Sequence, residues 1–296
     1  LNNKESFAVM VPDRPEWLTV PAPDEQALAG MQQLLSQGRL HTVCESADCP
    51  NIGECFGNKT CTFMILGKNC TRNCRFCAVT HDVPEQVDAD EPYMVAATAR
   101  QLGLEHVVVT SVTRDDLPDG GAGHFAATIR AVREELPEAT IEVLIPDFKG
   151  NKKAVNKVLA AQPDIVNHNT ETVPRLYPAV RPQAVYARSL KLISRVRESG
   201  VKTIAKSGLM LGLGETVDEV IGVMKDLHRA GCQMLTLGQY LSPSPAHLPI
   251  VEYVHPQVFE WLKEEAFAIG FFHVNAGPMV RSSYHAGVTF AQLAHR

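Results

Sequence analysis

Apolar positions in this chain switch between two rhythms. Short unbroken runs give way to stretches in which apolar residues recur three and four apart, and from Thr60 onward the two alternate. The runs predict strands over 63–66, 106–110, 140–145, 164–167, 203–206 and 233–237. The spaced stretches predict helices over 94–102, 123–136, 152–161, in pieces across 173–199, and over 216–230. Alternation of this kind is the signature of parallel βαβ construction. Six strand–helix units are too few for the eight of a closed barrel. The expected fold is therefore α/β, a partial (β/α)6 TIM-like barrel open along one side.

The flanks behave differently. Residues 1–22 carry Pro12, Pro15 and Pro21 with Trp17, and read as an extended arm lying on something else. Pro23 and Asp24 open a helix through about Leu40, with Leu28, Met31, Leu34 and Leu35 on its buried face. The following segment, HTVCESADCPNIGECF, holds too many small, polar and turn residues for a regular element, which leaves a metal to hold it. After Pro243 the spacing is irregular until a helix over 258–269, and VRSSYHAG follows. These shifts divide the chain into an N-terminal extension over 1–59, a barrel over 60–243 and a C-terminal extension over 244–296.

Composition narrows the classes. With 45% hydrophobic and 21% charged residues the chain can bury a full core. No run of about 18 apolar residues argues for a membrane span, and a formal charge of -5 offers no basic field for nucleic acid. Eight cysteines at irregular intervals, with no apolar leader, suit a reducing compartment rather than disulfides. The expected location is the cytoplasm. The chain starts at Leu1, so an organelle matrix also fits if a targeting peptide preceded it.

Six of the cysteines change the picture. Cys44, Cys49 and Cys55 form one triplet, and Cys70, Cys74 and Cys77, written CTRNCRFC, form another with different spacing. Structural zinc wants four closed ligands in paired spacing, which neither triplet has. Three thiolates on a short loop each take one iron of a 4Fe-4S cubane and leave the fourth corner open. An open corner is where a cofactor or substrate can bind. Cys61 and Cys232 remain, and both read as small buried side chains.

The CxxxCxxC loop with Phe76 before its last cysteine resembles the radical S-adenosylmethionine superfamily. CESADCPNIGEC, CTRNCRFC, SVTRDDLPDGGAGH, NHNTET, LMLGLGE, TLGQYLSPS and RSSYHA together, in order from Cys44 to Ala286, resemble the lipoyl synthase family. That resemblance implies two 4Fe-4S clusters and S-adenosyl-L-methionine as cofactors. Cys70, Cys74 and Cys77 would hold the first cluster; Cys44, Cys49 and Cys55, with Ser283 or its neighbour Ser282, would hold an auxiliary one. A serine alkoxide is a hard, displaceable ligand on iron, which suits a cluster consumed as a sulfur source. As a bare sequence feature, without the resemblance, the same serine pair reads first as a cap or turn near the tail.

The resemblance also implies a reaction, insertion of sulfur at carbons 6 and 8 of an octanoyl chain on a lipoyl-carrier domain, by a deoxyadenosyl radical. Those carbons are unactivated, so no ordinary side-chain base could deprotonate them. Gly120 and Gly121, Asn169 and Glu171, Arg181 and Lys206 are the expected cofactor contacts. Arg281 and Tyr284 flank the serines and are expected to position either the serine ligand or the octanoyl chain. Gly208, Gly212 and Gly214 do not meet G-x-G-x-x-G and say nothing for a nicotinamide. The expected partners are an octanoylated carrier, an electron donor such as flavodoxin or ferredoxin, and an iron–sulfur carrier. The lysines of KGNKKAVNK read as a solvated helix face, with docking of an acidic carrier as the alternative. A rival activity would use the auxiliary cluster for electron relay; a rival class is a non-catalytic metal scaffold.

Overall fold

A computed structural model describes residues 13–20 and 22–284. The chain enters through α1 (Glu25–Gln37), whose first amides are taken by the Asp24 carboxylate at 2.8 and 3.0 Å. Of the expected arm, residues 1–12 and Pro21 lie outside the described residues. In the remainder Leu18 is fully buried and Trp17 packs edge-on against His255, so this stretch does lie on another element.

The segment of the first triplet is more regular than expected. It forms β1 (His41–Thr42), α2 (Val43–Ser46) and α3 (Ile52–Gly57). Sequence periodicity fails here because helices of four and six residues are too short to show a face. Local bonds hold them instead: the Thr42 hydroxyl accepts from the Glu45 amide, and the Thr60 hydroxyl donates to the Cys55 carbonyl.

Next come β2 (Thr62–Ile65), α4 (Glu91–Leu102), β3 (His106–Ser111), α5 (Ala122–Glu135), β4 (Thr140–Leu144), α6 (Lys152–Leu159) and β5 (Ile165–Asn167). They are followed by α7 (Tyr177–Val180), α8 (Tyr186–Glu198), β6 (Ile204–Leu211), α9 (Val217–Ala230), β7 (Met234–Gln239), α10 (Pro256–Ile269) and β8 (His273–Gly277). One sheet runs in the order β1 to β8, with β1 antiparallel to β2 and every later pair parallel. Its two ends do not pair with each other, so the barrel is open as expected.

Six strand–helix units are present, and two strands were not foreseen. β8 reads HVNAG, in which Asn275 and Gly277 interrupt the apolar run that marks a buried parallel strand. β6 continues five residues past its expected end at Lys206, through Gly208 to Leu211. Glycine weakens strand signals because it has no side chain to pack; here the missing side chain leaves room for Thr236 and Asn169. The core is formed by the strand residues and the inward faces of the helices.

Candidate active site

The loop after β2 carries Cys70, Cys74 and Cys77 at the C-terminal end of the strands, where α/β barrels place their chemistry. Backbone bonds fix it: the Cys70 amide donates to the Thr80 carbonyl at 2.8 Å, and the amides of Arg72 and Thr113 donate to the Cys70 sulfur at 3.4 and 3.3 Å. Arg72, only 4% exposed, anchors the loop from below. Its guanidinium grips both oxygens of Asp115 at 2.8 and 3.0 Å and reaches Asp147 at 2.6 Å, while Arg188 takes the other Asp147 oxygen at 3.0 Å. Burial raises the Asp147 pKa, but Arg72 more than offsets it and holds the carboxyl down at about 2. Three loops, after β2, β3 and β4, are thus tied by one buried charge network.

Opposite this loop stands the first triplet, with Cys44 on α2, Cys55 on α3 and Cys49 between them. Burial pushes the Cys44 thiol up to about 12 and the Cys55 thiol to about 11; Cys49 is also raised, against the nearby charge of Arg281. In the second triplet burial pushes Cys77 up to about 12 and raises Cys74. Such thiols stay protonated at neutral pH unless a metal supplies compensating charge. Cys61 lines the same cavity beside Cys44 and Cys55, whereas Cys232 donates to the Met234 carbonyl at 3.2 Å within the core.

The stretch after β8 closes over both groups. Asn51 donates to the Met279 carbonyl and the Tyr284 hydroxyl to Glu54, each at 2.8 Å, which ties the stretch to α3. Gly238 lets the Val280 carbonyl approach β7 where any side chain would collide. The two adjacent serines turn to different walls. Ser283 meets the Thr62 hydroxyl at 2.7 Å, and Ser282 accepts from the Asn169 amide at 2.6 Å. Arg281 donates to the Val280 carbonyl at 2.7 Å.

A polar wall completes the arrangement. Arg181 donates to the carbonyls of Asn169 and Thr170 at 2.8 and 3.0 Å. Glu171 joins β6 by a bridge to Leu209, and burial raises its pKa against the charge of Arg181. Asn169 Oδ1, Arg181 Nε and Ser111 Oγ are buried without a hydrogen-bond partner among the described residues. Buried polar atoms are normally satisfied, so this wall fits a ligand rich in donors and acceptors.

Both triplets, Phe76, Asn169, Glu171, Arg181, Arg281, Ser282 and Ser283 line one cavity of about 1580 Å³. Pockets for one small ligand run to roughly 300–1,000 Å³, so this one has room for several groups. Among the described residues no three His, Cys, Asp or Glu side chains converge on a single-ion site. A cubane asks for something else, one thiolate per iron, and each triplet brings three thiols to the cavity.

The Radical SAM superfamily model matches residues 64–227. Lipoyl synthase from Caldanaerobacter subterraneus subsp. tengcongensis is 56% identical over 275 residues, 93% of this chain and 96% of its own length. That from Rubrobacter xylanophilus is 53% identical, covering 92% of this chain and 85% of its own. The chain belongs to the lipoyl synthase family. The fold is shared more widely. Methylornithine synthase aligns with a TM-score of 0.53 at 14% identity, over 84% of this chain and 80% of its own. Streptococcus suis SuiB bound to S-adenosylmethionine aligns at 0.56 and 11% identity, over 72% and 48%.

For a lipoyl synthase family member, the remaining expected contacts lie elsewhere. Lys206 is buried in an ion pair with Glu142 at 2.7 Å, and Glu142 also meets His106 at 3.2 Å. Its ammonium is committed to that carboxylate, and Lys206 does not line the cavity. Gly120 and Gly121 adopt φ of 62° and 88° but pack on Phe148 and Leu66, also outside the cavity lining. Thr62, Arg72, Asp115 and Asp147 are site-building residues that sequence reasoning missed. The one available hint was the buried-type charge of Arg72 inside a cysteine loop.

Proposed function

We propose that this chain is a lipoyl synthase, inserting sulfur at carbons 6 and 8 of an octanoyl chain carried on a lysine of a lipoyl-carrier domain. The observation that carries the reading is the meeting of two differently spaced cysteine triplets and a serine pair around one cavity. Cys70, Cys74 and Cys77 hold a 4Fe-4S cluster with an open corner. Asn169, Glu171 and Arg181, with Phe76 beside them, hold S-adenosylmethionine. Cys44, Cys49 and Cys55 hold an auxiliary 4Fe-4S cluster, with Ser283 as its fourth ligand. When bound, these groups supply the one-electron chemistry and the sulfur.

The protein's own contribution is placement. The preference for Ser283 over Ser282 is supported by Thr62, whose hydroxyl meets Ser283 on the wall that carries the first triplet. Ser282 is engaged on the opposite wall by Asn169. Arg281 braces the turn through the Val280 carbonyl and sets its charge near Cys49. The Arg72 network keeps the cluster loop in register with the polar wall, and holding reactants in one geometry is a large part of catalysis. The residues lining the cavity around the second triplet are buried or half-buried, which limits the water that reaches reactive intermediates.

The test is an anaerobic single-turnover reaction on an octanoylated carrier peptide, with labelled sulfide built into the enzyme's iron. Two labelled sulfurs in the product are expected. Cleavage of S-adenosylmethionine with an unlabelled or unchanged octanoyl chain would favour electron relay instead. An electron donor of flavodoxin or ferredoxin type and an iron–sulfur carrier for rebuilding complete the reading.

A further inference from the structure

The cavity spans the barrel from end to end. Besides the residues at the C-terminal ends of the strands, its lining takes in Leu104 and His106 where β3 begins, and Leu136 and Thr140 where β4 begins. Exposure along this lining is one-sided. Asn58, Lys59, Gly103, Glu105 and Glu138 line the cavity and are exposed, whereas around the second triplet every lining residue is buried or half-buried. The cavity therefore opens to solvent between the first cysteine segment and the loops that precede β3 and β4.

We infer that this mouth, at the N-terminal end of the strands, admits the acylated lysine arm, so that the carrier docks on the face opposite the one α/β barrels ordinarily present to substrates. The inference rests on the lipoyl synthase reading above. Length supports it: Ala139 to Leu144 spans about 17 Å at ~3.3 Å per residue, and a fully extended octanoyl-lysine arm reaches about 16 Å. A lysine at the rim thus delivers the acyl end to the strands' C-terminal ends. Between rim and site, Leu104, Val108, Met64 and Leu144 line the cavity for the hydrocarbon, with Thr62, His106, Thr140 and Glu142 among them; the Glu142 carboxylate is already paired with Lys206 and His106. The arm passes the first triplet on its way.

The experiment installs a photoreactive benzoylphenylalanine at Glu138 or, at the other end of the barrel, at Lys153, in the cluster-loaded full chain. Each enzyme is irradiated with an octanoylated carrier domain and with the same domain lacking the acyl group. The expected result is an acyl-dependent adduct at 138 and none at 153. An adduct at 153 alone, or at neither position while lipoyl product forms, overturns the mouth. If the unmodified enzyme makes no lipoyl product, the function itself fails, and that outcome is read separately. In parallel, Glu138→Trp and Lys59→Trp are expected to raise KM for the carrier about tenfold with S-adenosylmethionine cleavage unchanged. Unaltered KM in both overturns the inference.

Discussion

Thr62 and Ser283 meet hydroxyl to hydroxyl at 2.7 Å across 221 positions of chain. Thr62 opens β2 directly after Cys61, beside the first triplet, so one hydroxyl ties the serine to that wall of the cavity. Removing such a supporting bond typically costs 10–100-fold in metal-site function, roughly.

Thr62→Val is accordingly expected to lower lipoyl product formation about tenfold, and Ser283→Ala to abolish it. Both variants should still form 5'-deoxyadenosine, since the second triplet is untouched. Product and nucleoside are measured in one reaction by mass spectrometry. Full lipoyl yield from Ser283→Ala would remove the serine from the site.

Breaking a buried ion pair on one side leaves the other charge stranded, at a cost of about 3–5 kcal/mol. Arg72→Ala strands Asp115 and, in part, Asp147, which keeps Arg188. The expected loss is about 3 kcal/mol in urea unfolding of the full chain, together with less iron retained after reconstitution. Wild-type iron content in Arg72→Ala would show that the loop does not need this anchor.

Acid should weaken the fold in two windows. His168 is lowered to about 4, chiefly by burial, so the unfolded chain takes up its proton first, and stability falls as pH drops from 6.5 to 4. Asp147 lies at about 2 against its ordinary 3.8, so its contribution is present above 3.8 and lost between 3.8 and 2. These contributions are about 3 kcal/mol for His168 and about 2 kcal/mol for Asp147. Melting curves against pH should lose the upper slope in His168→Gln and the lower in Asp147→Asn.

Lys206 and Glu142 offer a check by paired substitution. Lys206→Met should cost about 3–5 kcal/mol by leaving Glu142 buried with only His106 and Asn167 beside it, and adding Glu142→Leu should recover much of it. Thermal melts decide this. A double variant that recovers its Tm yet cannot bind S-adenosylmethionine would return Lys206 to the cofactor site.

The parallel strands were legible because burial on both faces leaves an unbroken apolar run, as in β2 and β3. β8 was not, since Asn275 and Gly277 break its run and its neighbours supply the burial instead. The cysteine triplets were legible from spacing. The anchor beneath them was not: Arg72 finds Asp115 and Asp147 43 and 75 positions away, a separation no local pattern encodes. Lys206 shows the converse error. A lysine at a strand end looks like an anion receptor until a buried glutamate on the next strand but one claims it.

Adjacent hydroxyls at 282 and 283 fasten to different walls of the cavity, and of the residues described around the site only Tyr284 follows them in the chain. During synthesis all six thiols emerge first, on a polypeptide that still lacks its clasp. A nascent chain stopped before Ser282 would carry all six thiols and the Asn51–Met279 tie but neither hydroxyl of this clasp.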